Sequence, residues 1–451
     1  LGDVVPACVI DPKFLAAIDR SSRRGGYYRA LVASLARDIE RRDSRLVVRV
    51  GSRVQTVLRL VREAKADAVA WSASHDAAGV DSDRALQSAL EEAGVRVAIA
   101  HDAPAVAPEE TAAARREDGG RGYRSLAPYV SAWLVQAHEP ILTRPRFVAH
   151  DLASDGDSVD TAPLPEGCEA TSEAAVLSLV EAFVAGPILS YPFARNVPAS
   201  DGTARISAAL SFGAISARTI LARIDDRLRD PFLLVEERLA IGTFVRALAR
   251  RDFFLQLAWF FEDEPDAVLQ EHMRAFPFAK THAALDAWAD GRTGYPLVDA
   301  GMRQLRATGW MHPRVRPIAA SFVCFDLGVD WRVGRDVWDR ELVEYEPALA
   351  NGNWQWVCGL GADLVQFPRI YNPRKQFRTL DPRGTYVRRW VSELADVSDA
   401  ELFGRGTPES RPQLTLALFD RPPYPEAVVD HERAARASLA RHAAHLATRP
   451  R

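Results

Sequence analysis

The sequence lacks several things, and each shortage narrows the field. No run of about eighteen apolar residues occurs in the 451-residue chain, so a membrane-spanning helix is not expected. The opening LGDVVPACVI has no basic stretch ahead of an apolar one, which leaves a signal peptide unsupported and makes a cytoplasmic location the expectation. The only cysteines are Cys8, Cys168, Cys324 and Cys358, far apart and without a CxxC pair, so neither a disulfide framework nor a zinc knuckle is supported. An excess of one charge is missing too: 57 Lys plus Arg face 60 Asp plus Glu, a net charge of −3. Bulk electrostatic attachment to nucleic acid is thereby disfavoured, and any such binding must come from a local patch. What is present is a globular composition, 47% hydrophobic and 26% charged, long enough for two or three domains.

Along the first 150 residues, short β-branched runs alternate with helical spacing. LVVRV at 46–50, DAVAW at 67–71 and VRVAIA at 95–100 read as buried strands, and 27–41 and 53–65 as helices. Strand, helix, strand in that order predicts an α/β domain with a parallel, Rossmann-like sheet. No GxGxxG follows any strand, so the usual dinucleotide fingerprint is absent. Residues 151–170 hold six acidic residues, no basic ones, two prolines and two glycines, and mark a linker over 151–172. From there to 451 the apolar residues recur every three or four positions, as in EAAVLSLVEAFVAG and VEERLAIGTFVRALARRDFFLQLAWFF, which predicts an all-α domain over 173–451.

Four segments of that domain concentrate aromatic, Gly, Asn and Arg residues where a plain helical core would use Leu and Ala. They are DGTARISAALSFGAIS (201–216), GRTGYPLVDAGMRQLRATGWMHPRVRP (291–317), WDRELVEYEPALANGNWQW (338–356) and FPRIYNPRKQF (367–377). Thr203 and Ser207 bracket a helix start, where hydroxyls and backbone N–H groups can meet a phosphate, although Ser and Thr cap most helices anyway. Trp310, Trp331, Trp338, Trp354 and Trp356 form a dense group, and for any one of them core packing is the simpler account.

The order and spacing of these segments resemble the photolyase/cryptochrome family of FAD proteins, strongly over 191–395 and more loosely over the α/β region and linker. The resemblance implies an α/β domain, often carrying an antenna chromophore of folate or deazaflavin type, joined by a long linker to a helical domain that holds FAD. It implies that Tyr191, Thr203, Arg205 and Ser207 hold the FAD phosphates. Arg316 falls beside the isoalloxazine with Glu344 as its ion-pair partner, and Glu346 replaces an aspartate that accepts hydrogen bonds from the flavin ring. Ala350 stands where photolyases commonly place an Asn facing the flavin's central nitrogen, so redox behaviour should differ. In the family's aromatic electron relay, Trp354 and Trp331 match the inner two positions. Phe278 takes the outermost, which phenyl cannot serve, leaving Trp288 or Tyr295 as candidates to finish the path.

The same resemblance implies that Arg195, Arg251, Arg314 and Arg369 grip the DNA backbone and that Trp356 lies against a flipped lesion. Residues 369–389 add seven basic residues against one acid, Asp381. By contrast Ala247, Arg250 and Pro313 replace the Glu, Trp and Asn that hold a cyclobutane dimer in photolyases, and Pro313 and Pro317 replace the His pair of (6-4) photolyases. Family members also begin with a strand ahead of the stretch that opens this chain, so the α/β domain is expected to lack its first strand. The leading expectation is a monomeric deoxyribodipyrimidine photo-lyase that acts on pyrimidine dimers in DNA. Its rival, motivated by Ala247, Arg250, Pro313 and Ala350, is a cryptochrome-like blue-light photoreceptor without repair activity.

Overall fold

The computed structural model describes residues 3–113, 122–136, 147–154, 170–200, 202–261, 266–362, 368–404 and 423–447. They fall into two compact units. The first gathers Leu1–Leu189, Ala204–Ala267 and Leu342–Leu349, the second Ser190–Thr203, Val268–Glu341 and Ala350–Arg451. Most of the linker expected at 151–172 lies outside the described residues.

Among the described residues of the first unit, four short strands form two parallel pairs. β1 (Ala7–Ile10) runs beside β2 (Val47–Val50), with Ala7 opposite Val47 and Ile10 opposite Val50. β3 (Ala68–Ser72) runs beside β4 (Arg96–Ala100), with Ala68 opposite Arg96 and Ser72 opposite Ala100. Parallel neighbours need a crossover connection, supplied by the helices Ser22–Glu40 and Ala77–Glu92. Each of these helices starts at a side chain that satisfies an otherwise unpaired amide: Ser21 accepts from Arg24 and Asp76 from Gly79. Ile10, Val32, Ile39, Leu46 and Val48 form one core cluster across β1, β2 and the first crossover. The strands read at 46–50, 67–71 and 95–100 lie within a residue of β2, β3 and β4, although only β2 is buried as expected and β3 and β4 hold no buried residue; the predicted helices appear as Ser22–Glu40 and Arg53–Ala64. β1 escaped the pattern because its four residues, ACVI, show no alternation.

The helix Val235–Phe261 is the packing centre of the helical part of this unit. Every residue from Arg251 to Ala258 is buried, as expected of a core helix rather than one with a single apolar stripe. Its polar members are answered. Asp252 accepts from the Ala105 amide at 2.7 Å and the Trp133 indole at 2.9 Å, and Gln256 exchanges two bonds with the Tyr123 backbone at 2.9 and 2.7 Å.

The second unit is helical. The glycine-rich turn before the helix Pro296–Thr308 is tied by buried Asp299, which accepts from the Thr293 amide at 2.7 Å, the Thr293 hydroxyl at 2.6 Å and the Gly294 amide at 3.0 Å. Gly294 has φ +79° and packs against the Glu426 backbone, so no side chain fits there. Gln304 accepts from the Tyr386 hydroxyl at 2.7 Å and the His312 amide at 2.9 Å, which makes the WMHP stretch structural. Among the described residues no helix is long and apolar enough to cross a membrane.

Candidate functional site

In the first unit, the segment 205–211 and the turn at 344–346 are one piece. Ser207 opens the helix Ser207–Ser211 and its hydroxyl donates to Glu344 Oε2 at 3.3 Å. Ser211 clasps Tyr345, donating to its carbonyl at 2.7 Å and accepting from its amide at 2.8 Å. Arg205 has φ +49°, a left-handed conformation that a non-glycine residue holds only where its surroundings fix it. Glu346 takes the guanidinium of Arg251 at 3.2 Å, yet burial pushes its carboxyl up to about 7.

Arg251 itself corrects an expectation. Its side chain is only 9% exposed and lies 3.5 Å from Asp252 as well as bonding Glu346. It also donates to the Ala103 carbonyl at 2.6 Å and more weakly to that of Leu210 at 3.4 Å. A guanidinium with these partners has no reach left for a DNA phosphate, and its role is to hold a buried carboxylate, Asp252, and a partly buried one, Glu346, in place.

In the second unit, Tyr191 begins the short helix Tyr191–Ala194, and Arg195 stands over the Tyr191 ring, 5.4 Å from its centroid. Thr203 follows Gly202, where an added Cβ would come 2.5 Å from the carbonyl carbon of Ala194, so this loop folds tightly on itself. Arg316 starts the helix Arg316–Ser321 and donates to the Met311 carbonyl at 2.9 Å. Ala350 is half-buried. Taken unit by unit, the donor chemistry fits FAD: in the first unit the Ser207 hydroxyl and Arg205 guanidinium suit a phosphate and the carboxyl groups of Glu344 and Glu346 suit ring N–H groups, and in the second the Tyr191 and Thr203 hydroxyls and the Arg316 guanidinium suit phosphate oxygens.

Two of the arginines expected to meet DNA influence each other in this unit. Burial and the neighbouring charge of Arg195 together hold the Arg314 pKa below its ordinary value, a like-charge approach that an anion would relieve. The Nε atoms of Arg195 and Arg369 are buried without an acceptor. The Arg369 guanidinium carbon stands over Trp356, 3.6 Å from the ring centroid, and so covers one face of that indole. The basic run at 369–389 is narrower than its composition suggested. Arg378 is bonded to the Phe403 carbonyl, Arg374 lies 3.8 Å from Glu432, and Arg388 holds Asp399 together with two carbonyls.

The tryptophans of this unit form a row the sequence did not order. Trp338 meets Trp354 with ring centroids 4.5 Å apart, and Trp288 stacks on Trp338 at 6.3 Å and 18°. Trp331 is fully buried but makes no ring contact with another aromatic among the described residues. Of the two candidates for the outer position, Trp288 joins the row. Tyr295 packs on Phe322 and donates to the Val429 carbonyl instead.

Residues 244–444 match the family described as FAD binding domain of DNA photolyase, and residues 2–146 the family described as DNA photolyase. The deoxyribodipyrimidine photo-lyase of Halobacterium salinarum is 34% identical over 406 residues, 86% of this chain and 81% of that protein. The protein of the same name from Streptomyces griseus is 35% identical over 416 residues, 88% of this chain and 84% of its own. Among solved structures, that of a bacterial class III photolyase from Agrobacterium tumefaciens superposes with a TM-score of 0.78 at 27% identity, covering 99% of this chain and 93% of that one.

Proposed function

Because the chain belongs to the photolyase/cryptochrome family, we propose that it is a deoxyribodipyrimidine photo-lyase, an FAD enzyme that repairs pyrimidine dimers in DNA with blue light. The observation that carries the reading to DNA is that the Nε atoms of Arg195 and Arg369 are buried without an acceptor, while burial and the charge of Arg195 hold Arg314 below its ordinary pKa. Two guanidiniums held close enough to oppose each other are stabilised by a phosphate between them. We place the protein's action in the cytoplasm, on DNA, as a monomer.

The chemistry that bound FAD supplies is a light-driven transfer of one electron to the dimer, whose two inter-base carbon–carbon bonds break before the electron returns. The chain's own residues bind and position. Arg205 and Ser207 of the first unit, and Tyr191, Thr203 and Arg316 of the second, would each hold phosphate or ring-edge atoms of the cofactor. Glu344 and Glu346 accept hydrogen bonds from it, each carboxylate fixed beforehand by Ser207 or Arg251. Ala350 offers no polar atom to the ring. Arg195, Arg314 and Arg369 neutralise the DNA backbone, and Arg369 must leave Trp356 before a flipped base can stack there.

Pro313 is exposed, and Arg250 lies 5.9 Å from the Phe254 ring centroid, so neither offers the amide or indole that would hold a cyclobutane dimer in the familiar pose. This favours the second reading, a blue-light sensor, and the two separate in one assay. Dimer content is measured in UV-damaged DNA after incubation with chemically reduced, flavin-bearing protein in the dark and under blue light. Loss of dimers in the light alone is expected, while flavin binding and photoreduction with no loss would establish the sensor.

A further inference from the structure

The segment 342–346, which carries Glu344 and Glu346, is gripped by the first crossover helix, Ser22–Glu40, of the same unit. Arg24 lies in the first turn of that helix and is fully buried. Its Nε donates to the Leu342 carbonyl at 3.2 Å, 318 positions along the chain, and its Nη1 to the Ala17 carbonyl at 3.2 Å. The guanidinium carbon stands over the Tyr345 ring, 5.2 Å from its centroid, and Phe14 meets that ring edge-on at 6.2 Å. Tyr27, one helical turn after Arg24, clusters with Val343, with Leu31 and Phe212 packed around them. Leu342, Val343 and Tyr345 are thus held from the helix Ser22–Glu40, while Glu344 and Glu346 meet Ser207 and Arg251. A charge is costly to bury, and an apolar side chain of similar volume often stabilises a core as well or better. Fold stability alone therefore does not account for Arg24. What an apolar residue could not do is bond the Leu342 carbonyl, two positions ahead of Glu344. Nor does a lysine ammonium combine a planar fork, reaching carbonyls of two segments, with a face laid towards an aromatic ring.

We propose that Arg24 is a positioning residue for the flavin. By fixing the Leu342 carbonyl and the Tyr345 ring, it sets the aim of the Glu344 and Glu346 carboxyl groups towards the ring N–H groups they serve. This rests on the FAD reading above. Arg24 acts through the backbone of residues 342–346 and is not itself catalytic. Ser211 clasps the Tyr345 backbone at 2.7 and 2.8 Å, so the segment keeps its place when Arg24 is changed, and only its aim loosens. An anionic carboxylate held beside the ring opposes an arriving electron, and one that swings away opposes it less. Loosening the segment therefore raises the flavin's midpoint potential, and the hydrogen bonds lost with it weaken FAD binding.

The test is a redox titration of the bound flavin and a measurement of the FAD dissociation constant in the full chain. Arg24→Met should move the midpoint potential upward and weaken FAD binding about tenfold or more. Arg24→Lys, which keeps the charge but not the fork, should recover only part of both. Ile39→Ala is the control for a merely structural role, because Ile39 lies on the same helix but in the core cluster of Ile10 and Val48. It should lower the melting temperature yet leave the potential unmoved and FAD affinity within about twofold of wild type. A wild-type potential in Arg24→Met, or an equal shift in Ile39→Ala, would overturn the role. Should Arg24→Met fail to fold, Tyr345→Leu is read instead, since it removes the ring under the guanidinium. A smaller upward shift is then expected, and an unchanged potential contradicts the proposal. Wild type that takes up no FAD would overturn the FAD reading itself and this role with it, before any variant is compared.

Discussion

Glu346 faces Arg251 at 3.2 Å and still titrates near 7 rather than 4.5, because burial costs its anion more than the guanidinium returns. The folded protein therefore keeps this proton to higher pH than the unfolded chain does. Its contribution to stability is complete below about 4.5 and is lost as pH rises towards 7. Glu346→Gln should make the melting temperature fall less between about pH 5 and about pH 8 than in wild type. An equal fall in both would contradict this origin. His75 acts with the opposite sign: burial first, then the charge of neighbouring His101, pushes its imidazole down to about 3, so the stability it gives above 6.5 is lost as pH falls. Removing Arg251 would strand Glu346 and Asp252. Arg251→Ala should cost about 3–5 kcal/mol in denaturant unfolding and leave the salt dependence of DNA binding unchanged in any variant that folds. Arg251 was legible in sequence as an arginine within a family motif, but not as a buried one. Its partner lies 95 positions away, and Ala103, which it also bonds, 148 positions away.

The arginines proposed to face DNA stand beside helices of the second unit, not within them: Arg195 directly follows Tyr191–Ala194, Arg314 lies in the turn before Arg316–Ser321, and Arg369 precedes Pro373–Leu380. Each of Arg195→Ala, Arg314→Ala and Arg369→Ala should weaken binding to any DNA sequence and reduce the slope of log affinity against log salt by about 1. Arg369→Ala should do something more, because its guanidinium lies on Trp356. Affinity for undamaged DNA should fall while the ratio favouring dimer-containing DNA rises, measured on matched oligonucleotides. On the helix Trp331–Asp339, Gly334→Ala would drive a methyl to 2.6 Å from the Trp354 ring and 3.0 Å from Val323 Cγ1. A loss of about 1–3 kcal/mol is expected by denaturant titration. Elements with a strong period, β2 to β4 and the long helices, were readable from the sequence. The tryptophan row was not, since helix spacing places Trp331 and Trp338 on one face but cannot say which of them meets Trp354. The narrowing of the 369–389 strip was equally hidden, because its internal partners Phe403 and Glu432 come from later in the chain.

At the scale of the whole molecule, a net charge of −3 does not draw the protein to DNA, so the grip depends on a few local arginines. The family and its cofactor were legible because four segments keep their order over nearly two hundred residues, and the chain covers 81% and 84% of the photo-lyases from Halobacterium salinarum and Streptomyces griseus. On lesion affinity the sequence supports only an expectation, a deficit at Ala247, Arg250 and Pro313. Turnover is the measurement that tests the account most directly. Chemically reduced protein is mixed with single- and double-stranded UV-damaged DNA carrying many more dimers than protein molecules, and dimers are counted after blue light and after darkness. The account predicts many dimers removed per protein molecule in the light and none in the dark. Flavin-bearing protein that leaves the dimer count unchanged in both would contradict it.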